Sequence, residues 1–284
     1  MNYLSGVLKE ISKKTNTNYC GIRFTCFIPP LSFLLVIIVY LYYKDALSVH
    51  NYIELQKSWF ISINAKLSQF PNLEYNLTQL GDALIFLSLL SILIIYVPKI
   101  WEALLFSLLI SSVFSCTLKK IIAVPRPAAV FNNSSFTIIG KKLCSHSLPS
   151  GHSITIFAIL TPLLFAFAPK KPLNKALYYI GAICIGILIA LSRVGVGAHY
   201  PLDVVFGCTI GYISGASAIF LSKKYKLWCW IGDRKHCPVL VLIFLTCCVF
   251  LITKIFKENL TIYYVSLSAL LASTYKITYI YVKK

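Results

Sequence analysis

Charged side chains are scarce in this sequence: they make up 13% of its 284 residues, where soluble domains carry about a quarter. Beside 58% hydrophobic residues, that shortage excludes an ordinary water-soluble domain and describes a membrane protein. Acid is scarcest, with nine Asp and Glu against 27 Lys and Arg and a formal charge of +18. The basic residues sit in short clusters between apolar runs and form no stripe along one face, which argues against nucleic acid as a partner and for topology signals beside a bilayer. The ten cysteines include no CxxC pair. Cys116, Cys184, Cys208, Cys247 and Cys248 fall inside apolar runs and read as small buried hydrophobes, while Cys144, in a loop, has no partner cysteine beside it. No small-residue cleavage site follows the first apolar run, so residues 1–26 are expected to persist as a cytoplasmic N-terminal segment.

What is present is a series of apolar runs near the length that crosses a hydrocarbon layer of about 30 Å. Spans are expected at about Phe27 to Tyr43, Ala83 to Val97, Trp101 to Leu118, Ser153 to Ala168, Leu177 to Leu191 and Val204 to Leu221. Val239 to Phe256 and Leu260 to Val282 would add a closing hairpin over residues 223–284, with Lys276 interrupting the last run. The fold class is therefore all-α, a polytopic membrane helix bundle with a six-helix core over residues 27–222. Between the first two spans, Tyr52, Leu55, Trp59, Ile63 and Leu67 recur at steps of three and four, predicting an amphipathic interfacial helix at about 51–69. Asn51 with Glu54 would form its capping box, and Pro71 would stop it. Asp82, at the start of the second span, is either a helix cap or an ionisable functional group.

The clusters of Lys9, Lys13 and Lys14, then Lys170, Lys171 and Lys175, then Lys223, Lys224, Lys226, Arg234 and Lys235 alternate to one side, which marks that side as cytoplasmic. Three polar blocks fall at the opposite face. The first is Lys119, six residues, then Arg126-Pro127; the second is Pro149-Ser150-Gly151-His152; the third is Ser192-Arg193, five residues, His199, three residues, Asp203. Each residue alone has an ordinary explanation, since a lone buried His is often just hydrogen-bonded and a Lys or Arg at a helix end snorkels. Their order and spacing form the three-part signature of the type 2 phosphatidic acid phosphatase superfamily, which the chain resembles from about Gly81 to Ile219. That superfamily includes membrane lipid phosphatases, glucose-6-phosphatase, soluble bacterial acid phosphatases and vanadate-dependent haloperoxidases.

The chemistry of the residues agrees with the resemblance. A phosphate monoester needs cations and N–H donors around its equatorial oxygens, a nucleophile in line and an acid behind the leaving oxygen. Lys119, Arg126 and Arg193 supply charge, and Ser150 with the amides of Gly151 and His152 would stand at a helix N-terminus, where unpaired N–H groups bind anions. The resemblance implies that His199 is the nucleophile, that Asp203 orients its ring, and that His152 protonates the departing alkoxide. A metal site built from Cys144, His146, His152 and His199 is the competing reading, but residues 128–149 contain no acidic residue for it, so neither metal nor cofactor is expected.

The implied function is an envelope enzyme acting on a lipid phosphate at the outer face of a bacterial inner membrane. Lys141 and Lys142 in the loop between the first two blocks favour polyanionic lipids such as lipid A, undecaprenyl diphosphate or phosphatidylglycerophosphate, and Phe131, Phe136, Ile138 and Ile139 would touch acyl chains or pack that loop down. The run Arg126-Pro127-Ala128-Ala129-Val130, with Phe136, Ile138, Ile139, Gly140 and then His146-Ser147, is similar to bacterial inner-membrane members that include lipid A phosphatases. The alternatives are a glucose-6-phosphatase-like enzyme on a soluble substrate and a lipid-binding or transport protein that has lost the chemistry.

Overall fold

A computed structural model describes residues 2–132 and 134–283, with side chains from residue 10 onward. Among these, all regular structure is helical, as the apolar runs predict: α1 (Asn2–Cys20), α2 (Ile28–Tyr43), α3 (Val49–Leu67), α4 (Pro71–Gln79), α5 (Ala83–Leu89), α6 (Leu93–Tyr96), α7 (Pro98–Ile122), α8 (Pro127–Val130), α9 (Gly151–Phe167), α10 (Pro172–Gly195), α11 (Pro201–Lys224), α12 (Cys237–Lys257) and α13 (Thr261–Val282). Prolines punctuate the chain. Pro71, Pro98, Pro172 and Pro201 each open a helix at its first turn, where a missing N–H costs nothing and the fixed φ is already helical. Five segments are long and apolar enough to cross a membrane: Phe24–Tyr43, Pro98–Val130, Pro172–Gly195, Pro201–Lys224 and Arg234–Lys257. α9 is apolar but only 17 residues long, roughly 25 Å at 1.5 Å per residue.

α9 sits at the centre, packed on α11, and α7 covers both. The α9–α11 contact is made backbone to backbone through a glycine row on α11. A Cβ at Gly207 would lie 2.7 Å from the Ser150 carbonyl, one at Gly211 2.4 Å from the Ile154 carbonyl, and one at Gly215 2.7 Å from Thr161 Cβ. Small residues at steps of four allow membrane helices this approach. Pro162, inside α9, has no N–H for the Ala158 carbonyl one turn earlier; Ser107 Oγ of α7 donates to that carbonyl instead, at 2.6 Å.

The far end of α9 is held by α1. Asn18 Nδ2 donates to the Ala166 and Ala168 carbonyls, Tyr19 Oη donates to the Pro162 carbonyl, and Lys223 Nζ donates back to the Tyr19 carbonyl. The N-terminal segment, Lys170 to Lys175 and the end of α11 thus share one end of the bundle, and the N-terminus of α9 lies at the other.

The structure corrects the sequence in three places. The second span is broken: α5 and α6 are separated by residues 90–92, where bonds of the i→i−3 type from Leu93 and Ile94 replace the α-helical ladder. The break buries Ser91, whose hydroxyl meets Ser273 Oγ of α13 at 2.7 Å. α3 forms, but on a different face. Tyr52, Ile53, Gln56, Phe60 and Asn64 are buried while Trp59 is exposed, because Gln56 and Asn64 are drawn inward to bind backbone. Its cap is Ser48, which accepts from the Asn51 N–H, and Glu54 faces Lys57 instead of closing a capping box. Cys116 and Cys184 point outward from their helices, unlike buried Cys208 and Cys248. Asp82 does cap α5, accepting from the Leu84 N–H at 2.9 Å.

Candidate active site

The three polar blocks converge at the N-terminal end of α9. The Ser150 N–H donates to the Asp203 carbonyl at 3.0 Å, which locks the first turn of α11 against the cap of α9. Ser150 Oγ accepts from Ser153 Oγ and, more weakly, from the Ser153 N–H, while Gly151 and His152 occupy the first turn, where helix N–H groups have no intrahelical partner. Lys119, in the last turn of α7, reaches this turn from the side: its Nζ would stand 3.3 Å from a Cβ at Gly151, so glycine leaves the space the ammonium borders. The His152 ring lies on Gly81 of the α4–α5 turn, where any Cβ would come within 2.4 Å of His152 Cβ.

Asp203 is completely buried and its carboxylate is fully engaged. Oδ1 accepts from Tyr52 Oη at 2.8 Å; Oδ2 accepts from Ser147 Oγ and from the Tyr200 N–H at 3.0 Å. His199, also buried, turns Nδ1 toward the same oxygen at 3.5 Å and toward Ser147 Oγ at 3.4 Å. Burial holds the His199 imidazole well below the usual histidine range, and the positive charges of Arg126, Arg193 and Lys119 act in the same direction. The ring is neutral near pH 7, with one nitrogen facing Asp203 and the other free of that pair.

The two arginines are buried and held by neutral groups. Arg126 donates from Nε to the Ser145 carbonyl at 2.8 Å and from Nη1 to the Ala198 carbonyl at 3.2 Å, clipping the long loop to the His199 turn. Arg193 donates from Nη1 to Thr78 Oγ1 of α4 at 2.7 Å, and its Nε has no partner among the described residues. The Arg193 carbonyl receives the Ala198 and His199 N–H groups, so this residue also shapes the turn carrying His199. Gly197 lies in that turn at φ +75°, and a Cβ there would fall 2.5 Å from the Thr137 carbonyl.

All eight residues singled out from the sequence, Lys119, Arg126, Ser150, Gly151, His152, Arg193, His199 and Asp203, thus belong to one site. Sequence reasoning missed its supports. Tyr52 and Ser147 hold Asp203, Thr78 holds Arg193, and Gln56 Oε1 accepts from the Leu202 N–H at 2.9 Å. Asn64 ties the loop to the end of α10: its Nδ2 lies 3.0 Å from the Thr137, Val194 and Gly195 carbonyls, and its Oδ1 accepts from the Thr137 N–H at 2.8 Å. The signal available was the step of four through Tyr52, Gln56, Phe60 and Asn64. Cys144 and His146 are exposed loop residues, and Phe136 packs edge-on against Phe60, which settles the role of that phenylalanine as loop packing.

Beside the site an apolar cavity of about 540 Å³ opens between α2, α7 and α11. Leu31, Ile38, Phe114 and Phe206 line its length, and Tyr52 and Pro149 line its wall next to the Ser150 cap.

Comparison with known proteins places this geometry. Residues 101–228 match the PAP2 superfamily. The chain is similar to a lipid A 1-phosphatase of Rhizobium johnstonii, 32% identical over 132 residues, which cover 45% of this chain and 51% of that protein. It is similar to phosphatidylglycerophosphatase B of Bacillus subtilis, 29% identical over 147 residues, covering 48% and 68%. It is also similar to an undecaprenyl-diphosphatase of Sulfolobus acidocaldarius, 30% identical over 137 residues, covering 48% and 62%. The chain spans about half the length of the Rhizobium phosphatase it matches. All eight candidate residues fall within the matched window, whereas Tyr52, Asn64 and Thr78 lie before it.

Asn64→Leu should release the loop from α10, since buried carbonyls and an N–H left unpaired each cost about 1–3 kcal/mol. Trypsin should then cut faster after exposed Lys141 and Lys142 in detergent-solubilised protein; an unchanged rate of cutting would mean that Asn64 does not hold the loop.

Proposed function

Since residues 101–228 match the PAP2 superfamily, we propose that this chain is a membrane-embedded phosphatase that hydrolyses a lipid phosphate through a phosphohistidine on His199. The observation that carries this reading is the Asp203 carboxylate, held by Tyr52, Ser147 and the Tyr200 N–H beside His199 Nδ1. That arrangement holds the ring with Nε2 as the nucleophile and stabilises the imidazolium as the N–P bond forms. Arg126, Arg193 and Lys119, with Ser150 and the first amides of α9, surround the equatorial oxygens where charge gathers in the transition state. His152 gives its proton to the leaving oxygen, and water then releases phosphate from His199. No step calls on a metal ion.

A lipid substrate is favoured over a soluble sugar phosphate by the apolar cavity, which runs among membrane-spanning helices up to Tyr52 and Pro149. The named activities of the similar proteins, on lipid A, phosphatidylglycerophosphate and undecaprenyl diphosphate, share that chemistry. An intact His199, His152 and Asp203 set weighs against an inert lipid-binding protein.

In purified protein with a chelator present, His199→Ala is expected to abolish phosphate release from lipid phosphates. His152→Ala should slow it by roughly a hundred- to ten-thousand-fold, the usual worth of general acid help, and should let phosphoenzyme accumulate when the leaving group is good. Full turnover by His199→Ala, or loss of wild-type activity on chelation, would sink the mechanism.

The pH dependence follows from His199. A lowered pKa keeps the nucleophile neutral below the ordinary value of 6.5, so the acid limb of kcat/KM should lie below that pH. Arg126→Gln removes one of the lowering charges and should move the limb to higher pH on the same substrate. A limb that stays in place would show that Arg126 does not act on His199.

The site faces away from the cytoplasm in this reading, because α1 and the clusters at Lys170 to Lys175 and Lys223 to Lys224 share the opposite end of the bundle. Single cysteines in the 131–149 loop of an otherwise cysteine-free protein should react with an impermeant thiol reagent in intact cells, and those between Lys170 and Lys175 should not. The reverse pattern would invert the topology and the choice of outward-facing substrates.

A further inference from the structure

The C-terminal hairpin, outside the matched window, brings one cation to the edge of the site. Gly81 lies against the His152 ring, and the next residue, Asp82, receives Lys254 Nζ of α12 at 2.9 Å on Oδ2. Asp82 is fixed on its other oxygen by the Leu84 N–H, and Lys254 also stands over the Tyr263 ring, 5.7 Å from its centre. Tyr263 is buried and donates to Glu258 Oε2 at 3.0 Å, so the lysine projects from a firmly packed corner. About a third of each side chain of the pair is exposed. An ammonium has three donors, and Asp82 is its sole acceptor among the described residues.

We propose that Lys254, oriented by Asp82, is a specificity residue that binds an anionic leaving group, and that it tunes this enzyme toward lipid diphosphates. The inference rests on the phosphatase reading above, in which His152 marks the leaving-group side. With a lipid monophosphate, the oxygen that departs from phosphorus belongs to a neutral alcohol. With a lipid diphosphate attacked at its terminal phosphorus, the N–P bond to His199 forms as the bridging P–O bond breaks; the electron pair leaves on a lipid monophosphate, which takes the proton of His152. Only the second leaving group carries an anion past His152, to the place where Lys254 has donors to spare. Asp82 keeps the ammonium in position and cancels its charge in the empty site, so that a neutral leaving group meets no unpaired cation.

The test compares kcat/KM for a prenyl diphosphate and for the prenyl monophosphate of the same tail, using the full chain in detergent. Lys254→Ala should lower the diphosphate-to-monophosphate ratio about tenfold or more, the scale of one charge-assisted hydrogen bond. Lys254→Arg, which keeps the charge, should retain most of the preference. The proposal is overturned if the ratio in Lys254→Ala equals that of the wild type, whether both rates persist or both fall together. A wild-type chain that releases phosphate from neither prenyl lipid overturns the diphosphate preference, and one that also releases none from lipid A or phosphatidylglycerophosphate overturns the phosphatase reading itself.

Discussion

The close approach of α9 and α11 is the constraint on which the site depends. In a bilayer, helices gain little from burying apolar surface, because lipid tails are as apolar as the neighbouring helix, so contact must come from packing and polar bonds. Gly207, Gly211 and Gly215 let the two backbones meet, and at the upper end of that contact the Ser150 N–H finds the Asp203 carbonyl. The cap of one helix and the first turn of the other become a single rigid corner. Ser150, Gly151 and His152 project from one side of it, and His199 and Asp203 from the other. A side chain at Gly207 would push against the Ser150 carbonyl and so open the corner at the point where the candidate residues meet.

Electrostatics completes what packing begins. A carboxylate buried without partners is costly, and Asp203 meets that cost with two hydroxyl donors and a backbone N–H, without an arginine. Arg126 and Arg193 are likewise restrained by carbonyls and a threonine hydroxyl. Had Arg126 and Arg193 been paired with acids, each would attract a phosphoryl group less strongly. Neutral supports fix their geometry while leaving their charge unanswered, which is the condition for binding an anion tightly.

The residues that converge at the candidate site were legible in the sequence because they lie in short motifs whose spacing is local: a helix cap, a helix end, and a turn followed by a first helical turn. Five of the expected spans were legible as apolar length among the described residues. What failed was inference from apolar periodicity where polar residues are the buried ones. α3 was assigned by Tyr52, Leu55, Trp59, Ile63 and Leu67, yet of these Tyr52 alone joins the inner face of Gln56, Phe60 and Asn64, and Gln56 and Asn64 serve backbone groups more than 70 residues away in the chain. The break at Ser91 was hidden because the hydroxyl that stabilises it comes from α13. Thr78 carried no signal and Ser147 carried none of its role, since a lone hydroxyl becomes informative only once the carboxylate or guanidinium it holds has been located.

Part of the support for the candidate residues therefore comes from outside the stretch that carries them, and this has a physical consequence for how the site is built. Residues 101–228 contain all eight candidate residues. Segments outside that window decide how firmly these are held and what surrounds them: α3 through Tyr52, Gln56 and Asn64, α4 through Thr78, and the turn at Gly81. Tyr52 joins the two tasks in one side chain, because its ring lines the apolar cavity while its hydroxyl donates to Asp203. An apolar chain filling that cavity would exclude water from the face of Asp203 that Tyr52 guards. Its hydrogen bonds would then act in a lower dielectric, where each is stronger. The flanking helices thus do more than pack around residues 101–228: they set the polarity of the medium around Asp203 and His199.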